Sequence, residues 1–160
     1  MNTPRIRPAQ LNEAEALSEL MRRSKAYWGY DADFMARIGP EMQLTAEHIV
    51  DSLAVCICED DFGRVVGFYH LHVRKSGLRL EDLFIEPDCI GQGYGKLLWD
   101  HAVEAARTLG YKNFTLESDP HAEPFYLKMG AVRVSKRESH IAGRFLPQMQ
   151  FVFPEEDHHD

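Results

Sequence analysis

The sequence is short of cysteine and of long hydrophobic runs, and each shortage excludes a class of protein. Three cysteines in 160 residues cannot build the disulfide framework of a small secreted domain. No apolar run approaches the roughly 20 residues of a membrane-spanning helix, and the polar N-terminus shows no signal peptide. We therefore expect a cytoplasmic protein that has no membrane as a partner.

Basic residues are also in the minority. Eighteen Lys and Arg stand against 25 Asp and Glu, which gives a net charge of −7 at pH 7. Nucleic-acid-binding domains carry a basic surface, so this balance argues against nucleic acid as a partner. With 44% apolar and 27% charged residues, and no repeat or linker, the chain is expected to form a single domain over residues 1–160.

Candidate metal ligands occur only in pairs. Cys56 and Cys58, and likewise His70 and His72, are two residues apart, so each pair shares one face of a strand. A structural zinc site needs four ligands, and nothing in the sequence completes either pair. We predict that the cysteines pack in the core and that the protein needs no metal. The acidic, histidine-containing tail over residues 155–160 is expected to be solvated.

The first fifty residues show helical periodicity. Helices are predicted over residues 9–25, over residues 31–38 with Asp31 as the cap, and from Thr45 onward. Between the first two helices lie three aromatic residues beside a glycine, namely Tyr27, Trp28 and Tyr30. Two interpretations stay open for them: a hydrophobic plug at the helix end, or the wall of an acceptor pocket.

From residue 53 the pattern becomes that of strands. Short turns separate predicted strands at 53–58, 64–73 and 78–85, which favours an antiparallel meander with a bulge at Gly67. Two more strands are predicted at the end of the chain, over residues 131–138 and 145–153.

A long helix follows the meander. Its predicted span is residues 95–109, and its predicted buried face consists of Leu97, Leu98, Ala102, Ala105 and Leu109. A strand at 113–117 comes next, so a parallel crossover is expected between this strand and the one at 78–85. Pro124 then starts a short helix.

The junction between the third strand and the long helix is rich in glycine. Pro87 ends the strand, and residues 91–95 then read Gly-Gln-Gly-Tyr-Gly. Such glycines allow positive φ and expose backbone N–H groups, and the helix start adds positive partial charge, so a pyrophosphate site is predicted. A P-loop would need Ser or Thr where Leu97 stands, and a dinucleotide fingerprint has a different glycine spacing.

This junction resembles motif A of the GCN5-related N-acetyltransferase (GNAT) family. That motif has Gln or Arg, two variable residues, Gly, one variable residue, and Gly or Ala. Gly93 and Gly95 occupy the glycine positions, while Ile90 stands where Gln or Arg is usual. Further along, the chain resembles the family's motif B through Ala122, Phe125, Tyr126, Lys128 and Gly130, with Asp119 in place of the usual Asn.

The resemblance implies a fold and an activity. The fold is α/β, of the acyl-CoA N-acyltransferase (GNAT) type, with a mixed, mostly antiparallel seven-stranded sheet and helices on both faces. The activity is transfer of acetyl from acetyl-CoA, as co-substrate, to a primary amine by direct attack in a ternary complex. The implied cofactor-binding residues are Leu83, Phe84, Ile85, Ile90, Gly91, Gln92, Gly93, Tyr94, Gly95, Lys96 and Asp119.

The resemblance also implies catalytic roles. Tyr126 would be the general acid, since a phenol can protonate the departing thiolate. A carboxylate before the glycine loop would be the base, and we favour Glu81, with Asp82 expected on the opposite sheet face. Glu117 and Ser118 are rivals for that role. Glu117 is also assigned to the acceptor side, together with Tyr27, Trp28 and Tyr30.

The acceptor stays open at this point. The negative surface suits a small-molecule or peptide amine, such as a polyamine, an aminoglycoside or a lysine side chain, and many family members form homodimers. Two other classes remain: a non-catalytic acyl-CoA-binding regulatory module, and an unrelated nucleotide-binding domain.

Overall fold

The computed structural model describes residues 4–155, so most of the acidic tail lies outside the described residues. The strands are β1 (Arg5–Pro8), β2 (Ala54–Glu59), β3 (Val65–Arg74), β4 (Gly77–Ile85), β5 (Asn113–Glu117), β6 (Val132–Glu138) and β7 (Phe145–Val152). The helices are α1 (Ala14–Ala26), α2 (Ala32–Ile38), α3 (Ala46–Asp51), α4 (Tyr94–Thr108) and α5 (Glu123–Lys128). Asp31 and Thr45 cap α2 and α3 through their side chains, as the sequence predicts.

The strands form one mixed sheet in the order β1-β2-β3-β4-β5-β7-β6, which confirms the predicted fold class. Every neighbouring pair is antiparallel except β4 and β5. Within the described residues, β4 and β5 pair only at Arg79↔Thr115 and Leu80↔Leu116. The C-terminal half of β4 therefore has no partner on its β5 side, and a cleft opens in the middle of the sheet.

Two bulges adjust the strand register. One lies at Val66 on β3, one residue before the predicted position at Gly67. Gly67 is required instead by the close approach of β4. An added Cβ would lie 2.7 Å from Ile85 Cδ1 and 2.9 Å from the Phe84 carbonyl oxygen. The second bulge leaves Glu81 of β4 unpaired between Leu80 and Asp82.

Helices cover both faces of the sheet. One core, beneath α4 and α5, contains Trp99, Phe114, Leu116 and Met149, together with Cys56 and Cys58, as predicted for the cysteines. The other core lies beneath α1 and α2 and contains Leu17, Met21, Ile57 and Phe68. No helix within residues 4–155 is long and apolar enough to span a membrane.

The buried face of α4 differs from the predicted one. Leu98 and Ala102 are buried as expected, but Leu97 and Leu109 are 43% and 57% exposed. The remaining buried residues of the helix are Trp99, Val103 and Ala106. The buried face is rotated from the predicted one because a second hydrophobic series, with spacings of three and four, includes the bulky indole. Its members are Trp99, Ala102, Val103 and Ala106.

Candidate active site

The glycine loop presents a row of free backbone donors. Gly91 and Gly93 have φ values of +87° and +92°, and Gly93 is the N-cap of α4. None of the N–H groups of residues 91–96 has a hydrogen-bond acceptor within the described part of the chain. These donors converge with the positive end of a 15-residue helix, which is an arrangement that binds anionic groups.

Gly95 has a different reason to be glycine. A Cβ there would lie 3.0 Å from the Phe125 ring of α5, which packs against the first turn of α4. The third glycine of the loop therefore allows close contact between α4 and α5, the helix that carries Tyr126.

Side chains around the loop complete its surface. The Gln92 side chain donates to the Asp88 carbonyl at 3.1 Å, and exposed Lys96 pairs with Asp100 at 2.7 Å. Ile90 brings no polar side-chain atom to the loop, so its contribution there is limited to backbone groups. Tyr94 is partly buried against the core beneath α4.

The cleft beyond the β4–β5 pairing exposes backbone groups of β4. The Glu86 N–H donates to the Val66 carbonyl on β3 at 2.8 Å. The backbone N–H and C=O groups of successive residues point to alternate sides of a strand. Those of Leu83 and Ile85 therefore point away from β3, toward the cleft. The Phe84 side chain packs into the core beneath α1, while Leu83 and Ile85 pack against the core beneath α4.

Tyr126 lies on α5 and is 8% exposed. Its ring packs between Trp99 and Phe125, with centroids 5.8 and 5.3 Å away. The hydroxyl makes no hydrogen bond with any of the described residues. Burial raises the pKa of Tyr126 above its ordinary value, and the charges of Asp82 and Asp119 act in the same direction. The phenol therefore keeps its proton at neutral pH.

Strict alternation along β4 predicted that its two carboxylates lie on opposite sheet faces, and this prediction is wrong. Glu81 and Asp82 line the same pocket, because the bulge at Glu81 interrupts the alternation of the strand. Glu81 accepts two hydrogen bonds from Arg74, at 2.6 and 2.8 Å. Asp82 instead lies 3.0 Å from His70 Nδ1. The two carboxylates thus face the pocket with different partners.

We call this cavity the β3–β4 pocket, and its volume is about 410 Å³. It is open to solvent and lies over β3 and β4, beside α3. The residues that line it are Glu41, Gln43, His48, Ser52, His70, His72, Arg74, Glu81 and Asp82. Its three carboxylates outnumber Arg74, its one Lys or Arg side chain, so the cavity suits a cationic ligand.

Glu117 lies at the end of β5 and is already engaged. It accepts two hydrogen bonds from Arg137 at 2.9 Å and one from Gln148 at 3.0 Å. Burial acts to raise the pKa of Glu117, but these donors outweigh it and hold the pKa below its ordinary value. Ser118 is buried, and its hydroxyl donates to the Asp119 carbonyl.

Asp119 is the centre of a buried charged cluster. Its side chain forms ion pairs with Lys25 of α1 and with Arg144, at 3.3 Å in the latter case. The Tyr30 hydroxyl and the His121 N–H donate to it at 2.9 and 2.8 Å. Burial acts to raise the pKa of Asp119, but the Lys25 charge and these donors hold it below the ordinary value.

The aromatic segment of residues 27–30 closes over this cluster. Trp28 stacks on the His121 ring with 5.4 Å between centroids and 11° between planes. The Tyr30 hydroxyl lies 3.0 Å from His121 Nδ1 as well as beside Asp119. Tyr27 is half exposed and packs edge-on against Trp28. The segment therefore joins the end of α1 to the loop between β5 and α5.

Several of these contacts were not predicted from the sequence. No local sequence pattern identifies Lys25, His121 and Arg144 as partners of Asp119. Lys25 and Arg144 each lie 25 or more residues from Asp119 in the sequence. The sequence does single out His70, as one of a histidine pair, but not Ser52, which lies 2.6 Å from it. Residues 4–155 contain no group of three or more His, Cys, Asp or Glu placed to hold a metal ion.

Known proteins match this arrangement of elements. A family model described as an acetyltransferase (GNAT) domain matches residues 13–152. The peptidyl-lysine N-acetyltransferase YjaB of Salmonella typhimurium is 30% identical over 152 residues, which cover 93% of this chain and 97% of YjaB.

Solved structures share the fold. The PaiA N-acetyltransferase of Thermoplasma acidophilum, in complex with coenzyme A, has a TM-score of 0.76 at 21% identity and covers 94% of this chain and 99% of its own. YncA of Salmonella typhimurium, a putative acetyltransferase with acetyl-CoA, has a TM-score of 0.66 at 18% identity and covers 99% of both chains.

Proposed function

Because the chain belongs to the GNAT family of acetyltransferases, we propose that it transfers acetyl from acetyl-CoA to the side-chain amine of a lysine in a peptide. The observation that carries the cofactor assignment is the row of unpaired N–H groups at residues 91–96. The lysine assignment is supported by the three carboxylates of the β3–β4 pocket and by the substrate class of YjaB.

The cofactor lies along the loop and the cleft in this proposal. Backbone N–H groups of residues 91–96 hold the pyrophosphate, with Lys96 adding positive charge. The pantetheine arm enters the cleft beside β4, where the backbone groups of Leu83 and Ile85 bond it as a neighbouring strand would. One of these N–H groups polarises the thioester oxygen. Asp119 contributes to cofactor binding indirectly, by holding the loop that carries His121 in place.

The reaction is direct attack of the neutral amine on the thioester carbon. Holding the amine and the thioester together can by itself lower the barrier by about 7–11 kcal/mol. The nitrogen–carbon bond forms, the carbon–sulfur bond breaks, and the Tyr126 hydroxyl protonates the departing sulfur. The proton that the nitrogen loses as it becomes an amide passes through water to the Tyr126 oxygen, which restores the phenol. Tyr27, Trp28 and Tyr30 form the acceptor wall, and the carboxylates of the β3–β4 pocket together attract the cationic amine.

Turnover with a panel of amines tests the proposal. Release of free coenzyme A is measured with a lysine peptide, spermidine, an aminoglycoside and no amine. We expect the largest kcat/KM with the peptide. Thiol release with none of the amines, together with tight acetyl-CoA binding, would favour the alternative of a regulatory acyl-CoA-binding module.

The glycine loop gives a prediction about cofactor affinity. Gly93→Asp places a negative side chain where the pyrophosphate binds, so acetyl-CoA affinity measured by calorimetry should fall at least tenfold, since about 1.4 kcal/mol suffices for that change. Gly110→Asp is the matched control. Gly110 has a similar φ of +94° at the other end of α4, and an added Cβ meets no described atom within 4 Å. Equal affinity losses in both variants would indicate backbone strain instead.

Trp28 gives a prediction about acceptor binding. If its indole is part of the acceptor wall, Trp28→Ala should raise the acceptor KM about 2- to 30-fold, the equivalent of a cation–π contact worth about 0.5–2 kcal/mol. Acetyl-CoA affinity should stay unchanged. Phe62→Ala, which removes an aromatic ring that is 93% exposed, is the control. A large fall in melting temperature with equal damage to both substrates would identify Trp28 as a structural plug.

A further inference from the structure

Three hydrogen-bonded side chains run across the β3–β4 pocket. Ser52 Oγ lies 2.6 Å from His70 Nε2, and His70 Nδ1 lies 3.0 Å from Asp82 Oδ2. The three residues come from different elements: the end of α3, β3 and β4. Each contact joins residues that are 18 or 12 positions apart in the sequence. We call this line of side chains the Ser52–His70–Asp82 relay.

The fold fixes all three members of the relay. His70 is 6% exposed, and the bulge at Glu81 brings Asp82 opposite His70 in the register of β3 and β4. The Ser52 N–H donates to the His48 carbonyl at 3.1 Å, which holds Ser52 at the end of α3. The relay is therefore assembled before any substrate binds, as an efficient proton-transfer site requires.

Hydrogen-bond chemistry fixes the direction of the relay. An ionised carboxylate only accepts hydrogen bonds, so His70 Nδ1 must carry the proton that is donated to Asp82. In the neutral ring, Nε2 is then the bare nitrogen, and it accepts from the Ser52 hydroxyl. The one vacant proton site of the relay is thus His70 Nε2, and it is bonded to Ser52, which also lines the pocket.

We propose that the Ser52–His70–Asp82 relay is the general base that deprotonates the acceptor ammonium, a role that rests on the acetyl transfer proposed above. One ammonium N–H bond breaks as its proton bonds to Ser52 Oγ, and the Ser52 proton moves to His70 Nε2. The nitrogen keeps its electron pair and attacks the acetyl carbon. Asp82 stabilises the resulting imidazolium, which returns its proton to solvent after turnover.

The neighbouring Glu81 is less suited to this role. Both of its oxygens accept hydrogen bonds from Arg74, and Arg79 lies 3.8 Å away, so this carboxylate is already engaged by two arginines. The other titratable groups of the pocket are Glu41, Arg74 and two histidines. These rings, His48 of α3 and His72 of β3, have centroids 6.0 and 6.2 Å from that of His70. Neither of these rings bonds a carboxylate of the pocket among the described residues.

The test is the pH dependence of kcat/KM for the lysine peptide. A histidine base must be neutral to act, so wild-type activity should fall at acidic pH, where the imidazole is protonated. His70→Gln should lower kcat/KM at neutral pH about 10²–10⁴-fold and abolish this acid limb. His72→Gln, on the same strand face, should keep the limb.

Further variants separate the relay from a structural role. Ser52→Ala should lower kcat/KM, and Ser52→Thr, which restores a hydroxyl, should recover part of it. Melting temperatures and acetyl-CoA affinities should stay close to wild type in both. An acid limb that persists in His70→Gln and disappears in Glu81→Gln would overturn the proposal. So would an acetylated Ser52 in the mass spectrum, because the serine would then be a nucleophile. Absence of turnover in the wild type would instead reject the proposed function itself.

Discussion

Tyr126→Phe is expected to lower kcat about 10²–10⁴-fold while acetyl-CoA affinity stays unchanged. The substitution keeps the ring that packs between Trp99 and Phe125 and removes only the hydroxyl. That hydroxyl has no partner in the described structure, so its loss breaks no existing hydrogen bond. Steady-state kinetics and calorimetry on the same variant measure the two quantities.

The control for this variant is Tyr111→Phe, which removes a phenol hydroxyl beyond the C-terminal end of α4. It should leave kcat near the wild-type value. Because burial raises the pKa of Tyr126, the phenol stays protonated through the assay range. The wild-type rate should therefore show no loss from ionisation of this group at pH 7–9. A kcat of Tyr126→Phe within twofold of wild type would reject the acid role.

Asp119→Asn is expected to destabilise the fold by about 3–5 kcal/mol, the range for breaking a buried ion pair from one side. Asp119, Lys25 and Arg144 have side chains only 9%, 11% and 15% exposed, so both cations would be left without their anionic partner. Denaturant unfolding at neutral pH measures the change. Asp100→Asn, which breaks the exposed pair with Lys96, should cost less than about 1 kcal/mol.

The stability difference between wild type and Asp119→Asn should depend on pH with a definite sign. The pKa of Asp119 is lower in the folded state than the value of about 3.9 for an unfolded chain. The contribution of ionised Asp119 to folding stability is therefore fully present above the unfolded-state pKa. It is lost as the pH falls through the folded-state pKa. The stability gap between wild type and Asp119→Asn should narrow below about pH 4. A gap independent of pH would place the effect in packing instead.

The fold could be predicted largely from the sequence because its signals are local. Helix caps at Asp31 and Thr45, the turn before β4 and the glycine loop each lie within a few residues of the structure they determine. The buried face of α4 was harder to predict, since several hydrophobic series fit one helix and packing of Trp99 selects among them. The bulge at Glu81 has no sequence signal of its own.

The candidate site was predictable where it consists of backbone and less so where it consists of side chains. Residues 91–96 form the expected loop with free N–H groups. The partners of Glu81, Asp82 and Asp119 could not be predicted, because each pair joins different elements. The single bulge at Glu81 changed the interpretation of both β4 carboxylates, and it also placed Asp82 beside His70.

The most direct test of the account is the mass of a lysine peptide after incubation with the protein and acetyl-CoA. We predict that the peptide gains one acetyl group on the lysine side chain, with one coenzyme A released per acetyl transferred. A peptide in which that lysine is replaced by glutamine should gain none. An unmodified lysine peptide beside a protein that binds acetyl-CoA tightly would contradict the account.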